Sequence, residues 1–246
     1  MRLLVLVLAC LAGRAFALDA EAGVSYENLD KGKPDWKSAY VEAAHDFAPR
    51  QTLYGMLRET ERFDLRDSEV MAGYSHPLGS SLVGVVEASA SPDHNVLPQS
   101  SVFGQLAWQF GQGWVVSGGA RYNSYTDNDS RTLNAGLERY FGSFRAFYAL
   151  YNGKPQGSSS ASAQRLGLDY YYCGERCRVG AALVWGREVE NVGPPTGLIT
   201  SDVRAFALYG RHWFTPAWAL TWDASTHEQG DLYRRTGLRL GLRHRF

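Results

Sequence analysis

After its first seventeen residues the chain has no long apolar run. Nowhere do eighteen consecutive apolar residues occur, which excludes a membrane-spanning helix. Neither sign of charge is in excess, with 25 basic and 25 acidic residues, so a nucleic-acid partner, which calls for a basic surplus, is not expected. Cysteine is scarce: Cys10, Cys173 and Cys177 are too few for a disulfide-dense scaffold. No segment sustains a helical period and no linker divides the chain, so one domain is expected. What the chain does hold is aromatic and glycine residues, with 14 Tyr, 7 Trp and 26 Gly. Tyr and Trp suit a membrane interface, where a ring meets lipid and a polar tip meets water. The mean hydropathy of −0.29 fits strands that show only one face to lipid. An extracellular β-sandwich shares much of this composition, so the decision falls to the pattern along the chain.

The amino end reads as a secretory signal. Met1-Arg2 is charged, Leu3 to Ala12 is apolar apart from Cys10, and Ala15-Phe16-Ala17 forms an A-x-A cleavage site. An apolar core of about ten residues is half the length a spanning helix needs. We expect residues 1–17 to be removed, with Ala20 as the alternative cleavage point, and 18–246 to be the exported domain. Val7-Leu8-Ala9-Cys10 loosely resembles a lipobox, which leaves lipidation of Cys10 as an alternative. Loss of Arg2 and Arg14 leaves 23 basic against 25 acidic residues, a formal charge of −2.

The rhythm of connections then predicts a barrel. Candidate strands fall near 21–29, 36–47, 51–62, 67–76, 81–90, 100–110, 113–125, 131–141, 143–152, 163–173, 177–188, 202–214, 217–226 and 235–246. Most are about ten residues, the length a tilted strand needs to cross the hydrocarbon layer. The joints alternate between short turns, such as Ala48-Pro49-Arg50 and Thr215-Pro216, and mostly longer polar loops, such as Ser91 to Gln99, Gly153 to Ser162 and Asn191 to Ser201. Short turns at one end and long loops at the other are the mark of an outer-membrane barrel. The expected fold is all-β, a closed antiparallel transmembrane β-barrel of fourteen strands, or twelve if the first hairpin is misread.

Two-faced strands support this. The last one is the clearest: Leu238, Leu240, Leu242, His244 and Phe246 share one face, and Arg239, Gly241, Arg243 and Arg245 the other. Val179, Ala181, Leu183 and Trp185 likewise oppose Arg178 and Gly180, and Trp114, Val116, Ala120 and Tyr122 oppose Ser117, Arg121 and Asn123. The strands near 36–47 and 202–214 do not sort into two faces.

From Val24-Ser25-Tyr26-Glu27-Asn28-Leu29 to the Arg-rich closing strand, the chain resembles the YaiO family of outer-membrane β-barrels. Tyr40-Val41-Glu42, Gly118-Gly119-Ala120-Arg121-Tyr122 and Arg139-Tyr140-Phe141-Gly142 carry the resemblance. It implies residence in the outer membrane of a Gram-negative bacterium, with lipid and lipopolysaccharide as surroundings and no established enzymatic role. Relatives joined to repeat domains look like parts of exopolysaccharide export systems, which suggests passage of a polysaccharide. This chain carries no such repeat domain. Leu238, Leu240, Leu242 and Phe246 also resemble the signal read by barrel-assembly machinery, and His244 departs from the usual apolar or aromatic residue there.

The candidate functional residues are inward arginines: Arg121, Arg178, Arg239, Arg243 and Arg245. A charged ring of this kind favours anions in a pore. The alternative is that they pair with Glu87, Glu138, Asp169 and Asp223 and simply fill the lumen. Cys173 and Cys177 flank a short turn, and a disulfide is expected in an oxidising compartment. A metal clip there would lack a nearby His or a further Cys. No cofactor and no metal site are expected. Enzyme signals are thin. Asp93-His94 with Asp127-Asn128-Asp129 sketches a hydrolytic site, His76 with Ser80 and Ser81, or His227 with Ser225, sketches a nucleophile and base, and all of these read equally as polar loop. Asp127 to Ser130 also reads as a weak calcium loop or a solvated turn.

Overall fold

The computed structural model describes residues 18–174, 176–191 and 198–246. The expected signal segment 1–17 and its cleavage site lie outside the described residues, as does most of the loop between Asn191 and Ser201. Fourteen strands form the chain: β1 Leu18–Leu29, β2 Trp36–Ala48, β3 Gln51–Arg62, β4 Leu65–Pro77, β5 Leu82–Ala90, β6 Ser100–Phe110 and β7 Trp114–Ser124. The second half continues with β8 Asp129–Phe141, β9 Phe144–Pro155, β10 Ala161–Tyr172, β11 Cys177–Asn191, β12 Leu198–Trp213, β13 Trp218–Gln229 and β14 Tyr233–Arg245. Each pairs antiparallel with its sequence neighbours, and β14 closes on β1 from Asp19↔Arg245 to Leu29↔Arg235. The count is fourteen rather than twelve. Closure has a physical cause, because an open edge in lipid would strand backbone N–H and C=O groups at several kcal/mol each.

The outer wall is an apolar belt. Val24, Val86, Val102, Leu133, Leu183 and Leu240 are all exposed on it, since lipid rather than protein is their solvent. Rings gather at the short-turn end: Trp108, Phe110 and Trp114 stack in sequence, and Phe141 stacks on Phe144, which Tyr170 meets at a tilt. His244 joins them, packing edge-on against Trp218 at 4.4 Å and Phe246 at 4.3 Å. Its imidazole therefore packs as an aromatic in the closing strand.

Among the described residues there is no central apolar core. Buried apolar side chains instead form two small plugs in the wall. At the loop end Leu29, Trp36 and Tyr233 pack with Phe63 and Leu232. This cluster holds the two-residue turn between β3 and β4, where Phe63 and Asp64 both take left-handed backbone (φ 54° and 62°) that favours glycine. Phe63 anchors that strained turn through its edge-on contact with Trp36 at 5.2 Å. At the turn end Cys177, Trp213 and Ala219 pack with Tyr172. Between the plugs, large lumen rings lie over cross-strand glycines. Tyr209 covers Gly180, where an added Cβ would come within 2.6 Å of the ring.

The two strands that did not sort by sequence now have faces. On β2, Trp36, Ser38, Tyr40 and Glu42 line the lumen. On β12, Tyr209 and Arg211 do so. Rings and small residues on the inner face blur the polar alternation that marks the other strands.

Candidate functional site: an arginine-lined lumen

The lumen holds two adjoining cavities, of about 330 and 500 Å³. Glu42, Asp223 and Arg239 border both and mark their junction. Lys37 borders the first, but its side chain turns to Glu61 at 3.5 Å. Eight arginines and six carboxylates remain along the two cavities. Cationic side chains therefore outnumber anionic ones along the two cavities.

The seam between β14, β1 and β2 is internally compensated. Arg243 donates to Glu21 at 2.8 Å and also to Glu42. Glu21, almost fully buried, accepts two further bonds, from the Tyr40 hydroxyl (2.7 Å) and the Thr221 hydroxyl (2.8 Å). Arg245 grips Asp19 with two bonds of 2.6 and 2.8 Å, and Arg235 meets Glu27 at 2.8 Å. Arg121 is matched in the same way, to Glu87 at 2.7 Å, with its guanidinium 4.6 Å from the Phe103 ring. Of the five predicted arginines, Arg121, Arg243 and Arg245 are closed ion pairs.

Arg178 and Arg239 are different. Arg239 stands directly across from Asp223 in register, yet the two do not reach ion-pair distance. Arg178 stands directly across from Arg211, a like-charge pair that costs stability in a sheet. Its Nε is buried and unpartnered, and its guanidinium lies 5.4 Å from the Tyr209 ring. Arg211 donates only to the Arg176 carbonyl, at 3.2 Å. Arg165 rests over Phe147 at 5.2 Å. Among the described residues none of Arg165, Arg178 and Arg211 meets a carboxylate. Nearby Asp169 is fully buried and already taken, by Arg145 at 3.0 Å and the Tyr209 hydroxyl at 2.8 Å. Among the described residues the wall of β10 to β12 thus presents cations with no internal carboxylate partner, the chemistry that recognises carboxylate or phosphate.

Arg165 and Arg211 are absent from the sequence-derived set. Arg211 lies on the strand whose faces did not sort, while Arg165 shares a face with Asp169 four residues on, a signal that was there to be read. Asp67 was missed as well. Fully buried on β4, it accepts the backbone N–H groups of Asn95, Val96 and Leu97, each at 2.7 Å, and so folds the Ser91 to Gln99 loop.

The enzyme sketches do not assemble among the described residues. His94 turns its Nδ1 to the Ser91 and Pro92 carbonyls, at 3.2 and 2.9 Å, rather than to Asp93. His227 meets Gln229 at 2.8 Å, and His76 meets Tyr74 at 3.2 Å, so neither meets a serine. Asp129 accepts from Tyr122 and Ser124 (2.5 and 2.9 Å) within its own hairpin. Cys173 and Cys177 are a bonded pair with Cα atoms 5.3 Å apart. One expectation is corrected here: a histidine does lie close. The β11–β12 register brings His212 alongside, so that its ring and both sulfurs fall within 4.8 Å of one another. Sequence distance hid a neighbour 35 positions away. In the bonded form neither sulfur is the thiolate a metal needs.

Fold, lipid-facing belt and charged lumen define the chain as an outer-membrane β-barrel of porin-like architecture. Residues 19–191 match the YaiO membrane beta barrel domain, and the chain belongs to that family. The match runs from β1 through β11 and ends before the closing strand. No curated protein matches the chain. Among solved structures, the CymD monoaromatic hydrocarbon channel is similar with a TM-score of 0.64 at 8% identity, over 94% of this chain and 88% of that one. OmpF of Salmonella typhi, solved with daunomycin, gives 0.54 at 9% identity, over 94% and 97%. The anion-selective porin from Comamonas acidovorans gives 0.52 at 10% identity, over 94% and 99%. At such identities the likeness is one of fold.

Proposed function

We propose that this barrel is a narrow outer-membrane conduit that favours anionic solutes, carboxylated or phosphorylated saccharides among them. The observation that carries the reading is the wall formed by Arg165, Arg178 and Arg211, which borders the larger cavity and has no carboxylate partner among the described residues. An arginine with no internal partner offers two parallel N–H donors to a carboxylate or phosphate in transit. Arg239, Arg243, Arg245 and Arg121 belong to the same lumen but act in different ways. Arg239 gates the junction between cavities, and the other three hold the wall together. The rings under Arg165 and Arg178 fix their planes without neutralising them. In this reading residues 1–17 direct export and are removed, and Leu238, Leu240, Leu242 and Phe246 present the closing strand to the barrel-assembly machinery.

Planar-bilayer recording on the refolded barrel under a salt gradient tests the proposal. The expected result is a current with an anion-favouring reversal potential, reduced by an acidic oligosaccharide and untouched by a neutral one of equal length. A silent bilayer with a fully folded barrel, or a cation-favouring current, would overturn it.

A further inference from the structure

A second cationic feature lies outside the lumen. Arg131 on β8 and Lys154 on β9 stand directly opposite each other in register, both exposed. They share the outward face of β8 with Leu133, which is 61% exposed to lipid. Both sit at the loop end of their strands, just above the apolar belt. Tyr122 stands across from Arg131 on the other side, with the guanidinium 6.0 Å from its ring, as an interfacial tyrosine does. Like charges placed directly across a sheet repel. Three other cations at this end of the outer wall are matched: Lys37 with Glu61, Arg66 with Glu59 and Glu61, and Arg234 with Glu228. Among the described residues Arg131 and Lys154 meet no carboxylate. Asp129, two residues before Arg131, is held by the Tyr122 and Ser124 hydroxyls.

We infer that Arg131 and Lys154 form a docking site for the phosphate of a phosphorylated glycolipid in the outer leaflet. The position selects the ligand. Acyl chains lie against Leu133 and Leu150 below, which leaves a headgroup level with the two cations. A phosphate between them removes their mutual repulsion and takes a charge-assisted hydrogen bond from each. The ligand is thus a structural lipid bound to the wall, independent of what passes through the lumen.

Native mass spectrometry of the full barrel in non-ionic detergent tests this, with bisphosphorylated lipid A and its dephosphorylated form as probes. Wild-type protein should retain the phosphorylated probe and release the other. R131Q/K154Q should weaken retention about tenfold, the loss of roughly one charge-assisted bond or more. K37Q/R66Q, which removes outer cations that already have partners, should change it less than about twofold. Heat-modified gel mobility confirms that each variant is folded. Equal retention of the two probes by the wild type would overturn the inference without recourse to any variant. So would unchanged retention in R131Q/K154Q, or saturation of the site by inorganic phosphate alone.

Discussion

The two walls of the lumen use the same residue for different ends. Along the β14–β1–β2 seam, every lumen arginine except Arg239 is closed in on itself: Arg243 is shared by Glu21 and Glu42, Arg245 is gripped by Asp19, and Arg235 meets Glu27. Along β10 to β12, Arg165, Arg178 and Arg211 have rings and carbonyls for company but no carboxylate among the described residues. The first wall joins the two ends of the chain, where closure of the barrel must be secured. The second gives up sheet stability, through the opposed Arg178 and Arg211, to keep cations available. Equal numbers of arginines would not reveal this difference. Only their partners do.

The contrast predicts opposite mutational signatures. Arg243→Ala removes the partner of two acids while Glu21 stays buried. We expect a loss of about 3 kcal/mol in urea unfolding from micelles, with ion preference little changed, because stripping one side of a buried pair exposes the cost of the other. If Arg243→Ala left stability intact, the seam would not be the fastening described. Next in size is the Cys173–Cys177 pair, which secures the turn between β10 and β11 beneath the open wall. Reduction, or Cys173→Ser with Cys177→Ser, should cost no more than about 2 kcal/mol, since the closed loop is short. Thiol titration of the untreated protein should find no free sulfhydryl. Smaller again, Arg178→Ala should shift stability by less than about 1 kcal/mol, and toward greater stability, because a repulsion is removed. The same variant should lower anion preference.

The smallest effect concerns the first loop. There the Tyr26 hydroxyl, the Leu29 N–H and the Asn28 amide hold the Asp35 carboxyl below its ordinary value of 3.8. A depressed carboxylate contributes order above its unfolded pKa and loses it as pH falls through the folded one. Amide protection in residues 30–35, taken relative to the intrinsic exchange rate at each pH, should therefore hold at neutral pH and fall only on acidification below 3.8. Asp35→Asn should lower it at neutral pH.

Most of the fold was legible because the membrane imposes it. A strand between lipid and water must alternate, so the ranges read near 51–62 and 100–110 coincide with β3 and β6. The rule failed where the inner face carries rings or small side chains. Trp36 and Tyr40 on β2 look like lipid-facing residues yet line the lumen. The inward set was legible in part. Arg121 and Arg243 were visible on clean strands, and what no single strand could show was their pairing, which depends on Glu87 some 34 positions away and on Glu21 at 222. The same limit hid His212 from Cys177, and the loop 91–99 from Asp67.

The central claim is that open arginines, not arginines in general, set the ion preference. Reversal potentials in planar bilayers should be compared for the wild type, for R165Q/R178Q/R211Q and for the paired-arginine variant R121Q. The expected result is an anion-favouring potential that collapses toward zero in the triple variant and persists in R121Q. An unchanged preference in the triple variant, or an equal collapse in R121Q, would contradict it.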